Sequence, residues 1–303
     1  MANKIQWLQS SRGLVIIFVV FGHIVFNNSS PSEYIILKEY IYTFHMPAFF
    51  AISGFLFGLK ECNTSSHKII TKKLLSLGIP YLFFSFSYLG LKYILQQYLM
   101  VNQKVQIIDF FNVFFFPKLS TSVYWFLYVL ILYFIITAFL KKSLLSSLIF
   151  GLLSVIYYVF WKSKIVFIYN DCFNSFLGYY FCFIFASFVG KRYFSFVKNK
   201  SFCIAFYIVS FLFFIASVIL FFVFPIHSNE FLCILYLIGG VLFVYLFGYT
   251  SYILHFSKLF ALIGNYSWFI YLLHPYFLNF ARNIILHTAE ISDFLYIIVN
   301  IFI

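Results

Sequence analysis

The 303-residue chain is 64% hydrophobic and only 9% charged, with 48 Phe, 25 Tyr and a mean hydropathy of +0.99. Ordinary soluble domains carry about 25% charged residues, and a water-soluble core of this size would lack the polar residues to cover it, which excludes a soluble enzyme or binding module. A net charge of +12 would point to nucleic acid in a soluble protein; here the Lys and Arg lie between apolar runs, so the positive-inside rule accounts for them and membrane lipid, not nucleic acid, is the expected partner.

The opening MANKIQWLQSSRG lacks the short apolar stretch and small-residue cleavage site of a signal peptide, so the run after it is read as a retained membrane span. A bilayer core takes roughly 20 apolar residues as helix. That window predicts nine spans, near 11–27, 35–59, 74–95, 122–140, 143–161, 169–189, 202–224, 231–253 and 259–280. A tenth apolar run starts near Phe294 and stops at Ile303, too short for a straight crossing, so the last helix is expected to be partly inserted or truncated. Thirteen of the 20 Lys and Arg fall on one side of this arrangement if the N-terminus is cytoplasmic, which sets that orientation. The expectation is one all-α polytopic domain over 1–303 with nine to ten transmembrane helices.

The first span places Arg12 and His23 eleven residues apart, three turns plus about 20°, so a helix would carry both on one side roughly 16 Å apart. The second, FHMPAFFAISG, puts His45 and Pro47 inside an apolar run that descends after a short loop, so His23 and His45 come from antiparallel neighbours at comparable depth. Ionisable groups inside a bilayer are functional by default, the alternative being core histidines satisfied by a neighbour. HKIITKKLLSLGIPY places Lys72 and Lys73 in a cytoplasmic loop before span three, where they meet donor phosphates or lipid headgroups or anchor the topology. VQIIDFFNVFFFP, in the longest connection, reads as an amphipathic or re-entrant segment at the outer interface, either a packed surface loop or a lid. YWFL puts Trp125 at an outer boundary, as an aromatic belt or a site residue. In GNYSWFIYLLHPYF, Ser267, Tyr271 and His274 share a helix face. The cysteines show no metal-ligand spacing, and no metal is expected.

Taken together, RGLVIIFVVFGH, FHMPAFFAISGFLFG, YWFL and NYSWFIYLLHP resemble membrane-bound acyltransferase family 3, particularly its fucose 4-O-acetylase-like branch, over nearly the whole chain. The resemblance implies a multi-pass enzyme of the inner (plasma) membrane of a bacterial cell envelope. It would move an acyl group, usually acetyl from acetyl-CoA, onto a carbohydrate hydroxyl of a surface polysaccharide or a lipid-linked glycan, with no bound cofactor. His23 and Arg12 map onto residues needed for activity in that family and His45 onto its second-span histidine, whereas Lys72 and Lys73 stand where an Arg-rich motif is usual. A histidine suits the chemistry, since a sugar hydroxyl needs its proton removed while it attacks a thioester. His23 is expected as general base or transient acyl acceptor, His45 as an orienting or polarising group, Arg12 as an attractor of CoA phosphates, and Ser53, Tyr or Trp as oxyanion donors. Ser53, Trp125, Ser267, Tyr271 and His274 are candidate substrate contacts.

Two rival classes are weaker. A polymerase or glycosyltransferase would want carboxylates near the outer face, and the chain has eight Asp and Glu in all. A flippase or transporter would be expected to show repeated halves with matched helix breaks, and spans two and nine do not repeat one another.

Overall fold

A computed structural model of the chain describes residues 6–24, 31–61, 64–97, 104–121, 123–141, 143–166, 168–198, 200–224 and 230–288. In lipid only a backbone bonded to itself can span, and apolar runs of this length answer that by forming helices; no strand occurs among the described residues. The order is α1 (Gln6–Gly22), α2 (Ser32–Lys60), α3 (Ser66–Lys73), a π-helical turn (Leu74–Gly78), α4 (Ile79–Leu95), α5 (Ile107–Phe115), α6 (Pro117–Ser120) and α7 (Trp125–Leu140). It continues with α8 (Leu144–Lys162), α9 (Asp171–Lys198), α10 (Lys200–Val223), a 3₁₀ turn (Glu230–Leu232), α11 (Cys233–Ile253) and α12 (Ser257–Thr288).

Each of the nine expected spans coincides with a helix. Six stretches are long and apolar enough to cross a membrane: Ser32–Lys60, Ser66–Leu95, Leu144–Lys162, Asp171–Phe196, Cys203–Val223 and Cys233–Ile253. The chain is thus an all-α polytopic membrane protein. Of the other three, α1 and α7 have 17 and 16 residues, and α12 runs for 32 with Pro275 inside it. The expected tenth span lies outside the described residues. Two boundaries differ from the sequence reading. The lysine-bearing stretch before span three is helix rather than loop, continuous through the π turn into α4. Pro80 offers no N–H to the carbonyl four residues earlier, and a π turn lets the helix continue past that gap. Span one ends at Gly22, not near 27, because α2 supplies hydroxyls that satisfy its last carbonyls, as described below.

The residues form two compact units, Met1–Leu59 with Ala186–Ile303, and Lys60–Phe185. In the first, α1 packs on α12 and α11, and α10 packs on α11. The α1–α12 crossing is a backbone contact: a Cβ on Gly13 would meet the Phe260 carbonyl oxygen, and one on Gly264 the Gln9 carbonyl oxygen. Small residues allow such an approach where dispersion has to hold helices together in lipid. The core of this unit includes Leu14 and Val15 of α1, Ile41, Phe44, Ile52 and Phe55 of α2, and Val244 of α11. α2 is buried over most of its length, whereas α10 exposes Ile204, Val209, Leu212 and Phe222, the pattern of a lipid-facing helix.

In the second unit a hydroxyl of α7 bonds to the backbone of α9, and a side-chain amide of α9 bonds to the connection that precedes it. Tyr133 Oη lies 3.0 Å from the carbonyl oxygens of both Ser175 and Phe176, and Asn174 Nδ2 donates to Ile168 O at 2.7 Å. α5 is capped by Gln106 and Asp109, with the Gln106 N–H donating to Asp109 Oδ2 at 2.9 Å. It buries Val113 and presents Ile107, Ile108, Phe111 and Phe115 outward on one face. An outward apolar stripe is what an interfacial helix offers to acyl chains.

Candidate active site

The C-terminal end of α1 and the N-terminal half of α2 build the site together. The last carbonyls of a helix have no partner within it. Tyr42 donates its hydroxyl to Gly22 O at 2.7 Å, and the Tyr34 hydroxyl sits between Phe21 O at 2.9 Å and Ile24 O at 3.0 Å. These two tyrosines hold the turn that carries His23, the first residue beyond the helix. The His23 ring makes no hydrogen bond among the described residues.

His45, three residues after Tyr42 and on the same face of α2, is 4% exposed, with its ring 4.8 Å from that of Tyr42. Its Nδ1 lies 2.9 Å from Ile41 O. A carbonyl only accepts, so Nδ1 carries the proton and the neutral ring keeps its lone pair on Nε2.

His274, also 4% exposed, arrives from α12 and places its ring 5.3 Å from that of His23. Its Nδ1 lies 2.8 Å from Tyr271 O and 3.2 Å from Ile270 O. Pro275 explains the first contact: having no N–H, it leaves the carbonyl four residues earlier, that of Tyr271, without its helical donor. The histidine next to the proline takes that place. Its tautomer is thereby fixed as well, and Nε2 is buried with no hydrogen-bond partner. His23 is within coulombic reach of both His45 and His274, and of Lys38. Lys38 lies one turn before Tyr42 on α2, with its ammonium 5.4 Å from the ring centres of Tyr34 and Tyr42.

The structure therefore brings His23, His45, His274 and Tyr271 together; the Tyr271 ring is 5.9 Å from that of His274. Arg12 lies three turns back along α1, half-buried, with no hydrogen bond or ion pair among the described residues. Ile16 and Val19, 0% and 1% exposed, stand between it and His23 on that side of the helix. Ser53 is two turns beyond His45 on α2, about 12 Å along the axis. Ser267 donates to Gly264 O of its own helix at 2.8 Å. Tyr34, Lys38 and Tyr42 were not singled out from sequence. Their spacing of four residues each, ending three short of His45, was the available signal.

Trp125, Lys72 and Lys73 belong to the second unit. Lys118 places its ammonium 4.4 Å from the Trp125 ring centre and donates to Ser175 Oγ at 2.7 Å. Burial holds that ammonium below the usual lysine range. Lys72 and Lys73 approach Glu61 Oε1 at 3.5 and 3.3 Å, and Lys73 lies 4.0 Å from the Phe134 ring centre. Glu61 escaped the sequence reading. Among the described residues no group of three or more His, Cys, Asp or Glu is placed to hold a metal ion.

A buried set of imidazoles that keep a basic nitrogen suits proton transfer during acyl exchange. The family model described as an acyltransferase domain, that of acyltransferase family 3, matches residues 5–303. The chain belongs to that family. As a member it is a membrane acyltransferase, and the match runs through both compact units. No curated protein and no solved structure matches it.

Proposed function

We propose that this acyltransferase moves acetyl from acetyl-CoA to a sugar hydroxyl of a surface polysaccharide or its lipid-linked precursor, working in the plasma (inner) membrane in the manner of the fucose 4-O-acetylase-like branch. One observation carries the reading: His23, His45 and His274 converge in a buried cluster where two imidazoles are held by backbone carbonyls with Nε2 basic.

A sugar hydroxyl attacks a thioester only as its proton leaves, and His23 takes that proton or, transiently, the acyl group itself. The neutral His45 accepts a hydrogen bond from the sugar through Nε2 and orients the attack. With Nε2 protonated it would instead polarise the carbonyl and stand over the oxyanion. Arg12 is a half-buried cation with no anionic partner among the described residues, three turns from His23 along one helix; it suits the phosphates of the donor. Lys72 and Lys73 are further candidates for those phosphates, in competition with Glu61.

Purified full-length protein in lipid nanodiscs, given radiolabelled acetyl-CoA and a panel of free and lipid-linked sugars, tests the proposal. Label on a sugar, lost in His23→Ala, is the expected result. Transfer only to non-carbohydrate hydroxyls or amines, or only from other acyl donors, would overturn the corresponding half.

A further inference from the structure

We propose that His274 is the proton-relay partner of His23: the rings work as a pair, and the proton displaced from His23 during acyl transfer comes to rest on Nε2 of His274. The inference rests on the reading of His23 as the base, and it gives a chemical step to His274, which that reading counts in the cluster without assigning it one.

Three features meet at His274. Its Nε2 is buried and has no hydrogen-bond partner, a costly state for a polar atom unless something uses it. The ring faces His23 at 5.3 Å between centroids with the planes 44° apart. Nδ1 is already committed to Tyr271 O, the carbonyl that Pro275 releases, with Ile270 O close behind. An imidazole bound in this way needs no reorientation to become a cation, because its second N–H already points at two acceptors. Catalytic hydrogen bonds are often slack without substrate and close when it binds, so a ring-to-ring gap of this size suits the resting state of a relay. The other groups facing the pair are Lys38, His45 and Tyr42 on α2 and Tyr271 on α12.

The step balances. As the acceptor oxygen bonds to the thioester carbonyl carbon, its O–H bond breaks and the proton goes to one nitrogen of His23. The proton on the other nitrogen of His23 passes to Nε2 of His274. When the C–S bond breaks, the leaving thiolate takes a proton from His23 and His274 returns its own, so both rings end neutral and the products are the ester and the free thiol.

The test uses the full chain in nanodiscs, with ¹⁵N-labelled histidine, titrated as wild type and as His274→Gln, which keeps an acceptor but cannot carry the proton. The relay predicts that the His23 titration moves by about one pH unit on that change, since coupled groups titrate as a pair. Pro275→Ala keeps the imidazole but gives Tyr271 O back its helical donor, and it should also move the His23 titration. In acetyl transfer, His274→Gln should lower kcat roughly 10- to 100-fold with little change in KM. The dependence of rate on deuterium content should pass from bowed, with two protons in flight, to linear. A His23 titration unmoved by both substitutions overturns the relay whatever the enzyme acylates, as does a bowed dependence that survives His274→Gln. Wild-type protein that moves no acetyl to any sugar overturns the proposed function instead, while the titration still decides the relay.

Discussion

His274 stands with its ring 5.3 Å from that of His23, although the two residues come from opposite ends of the chain. What joins them is the α1–α12 crossing, where Gly13 and Gly264 let the backbones touch. Any side chain at Gly264 meets the Gln9 carbonyl oxygen, which belongs to backbone and has little room to yield. Gly264→Ala should therefore destabilise the fold by about 1–3 kcal/mol and cut acyl transfer with it. Thermal unfolding in detergent checks this; a variant with the wild-type midpoint would mean that the crossing is looser than described.

Tyr42 acts on the same site from α2. Tyr42→Phe removes the hydroxyl that satisfies Gly22 O and leaves that carbonyl without its partner, at a cost of about 1–3 kcal/mol. Because the turn carrying His23 begins at this carbonyl, kcat should fall by more than the loss of folded protein explains. Activity normalised to folded enzyme, measured by size-exclusion recovery, separates the two effects.

Pro275→Ala sets stability against activity. A proline inside a helix costs about 3 kcal/mol, so the alanine variant should unfold at higher temperature. The restored N–H then competes with His274 for Tyr271 O, and acyl transfer should drop. A variant both more stable and fully active would show that the histidine does not depend on the carbonyl released by the proline.

Much of the fold was legible because a bilayer leaves few choices: apolar runs near 20 residues must be helices, and all nine expected spans are helical. The motifs likewise pointed to His23 and His45. The pairing of His23 with His274 was not legible, since nothing local links the ends of the chain and the glycines that join them are two among 13. The end of α1 was misplaced for a related reason: Phe and Val beyond Gly22 continue the apolar pattern, and the tyrosines that terminate the helix lie on another element. Glu61 escaped notice because its partners Lys72 and Lys73 come together with it only through the fold of α3.

The Glu61 pairs offer a test of the donor end. If Lys72 and Lys73 bind phosphates of acetyl-CoA, Glu61→Gln frees them and should lower KM for the donor a few-fold, chiefly through Lys73, which like Glu61 is mostly buried whereas Lys72 is exposed. Lys72→Met with Lys73→Met should raise KM. Steady-state kinetics at low ionic strength decides; equal KM values in all three proteins would leave these lysines as topological anchors.

The most direct measurement of the central claim is the NMR spectrum of the surface polysaccharide from cells expressing the intact protein or His23→Ala at equal level. The account predicts that O-acetyl signals disappear in the variant while the glycan chain itself is unchanged. Acetylation that persists, with chain length or export altered instead, would contradict it and put a transport or polymerisation activity in its place.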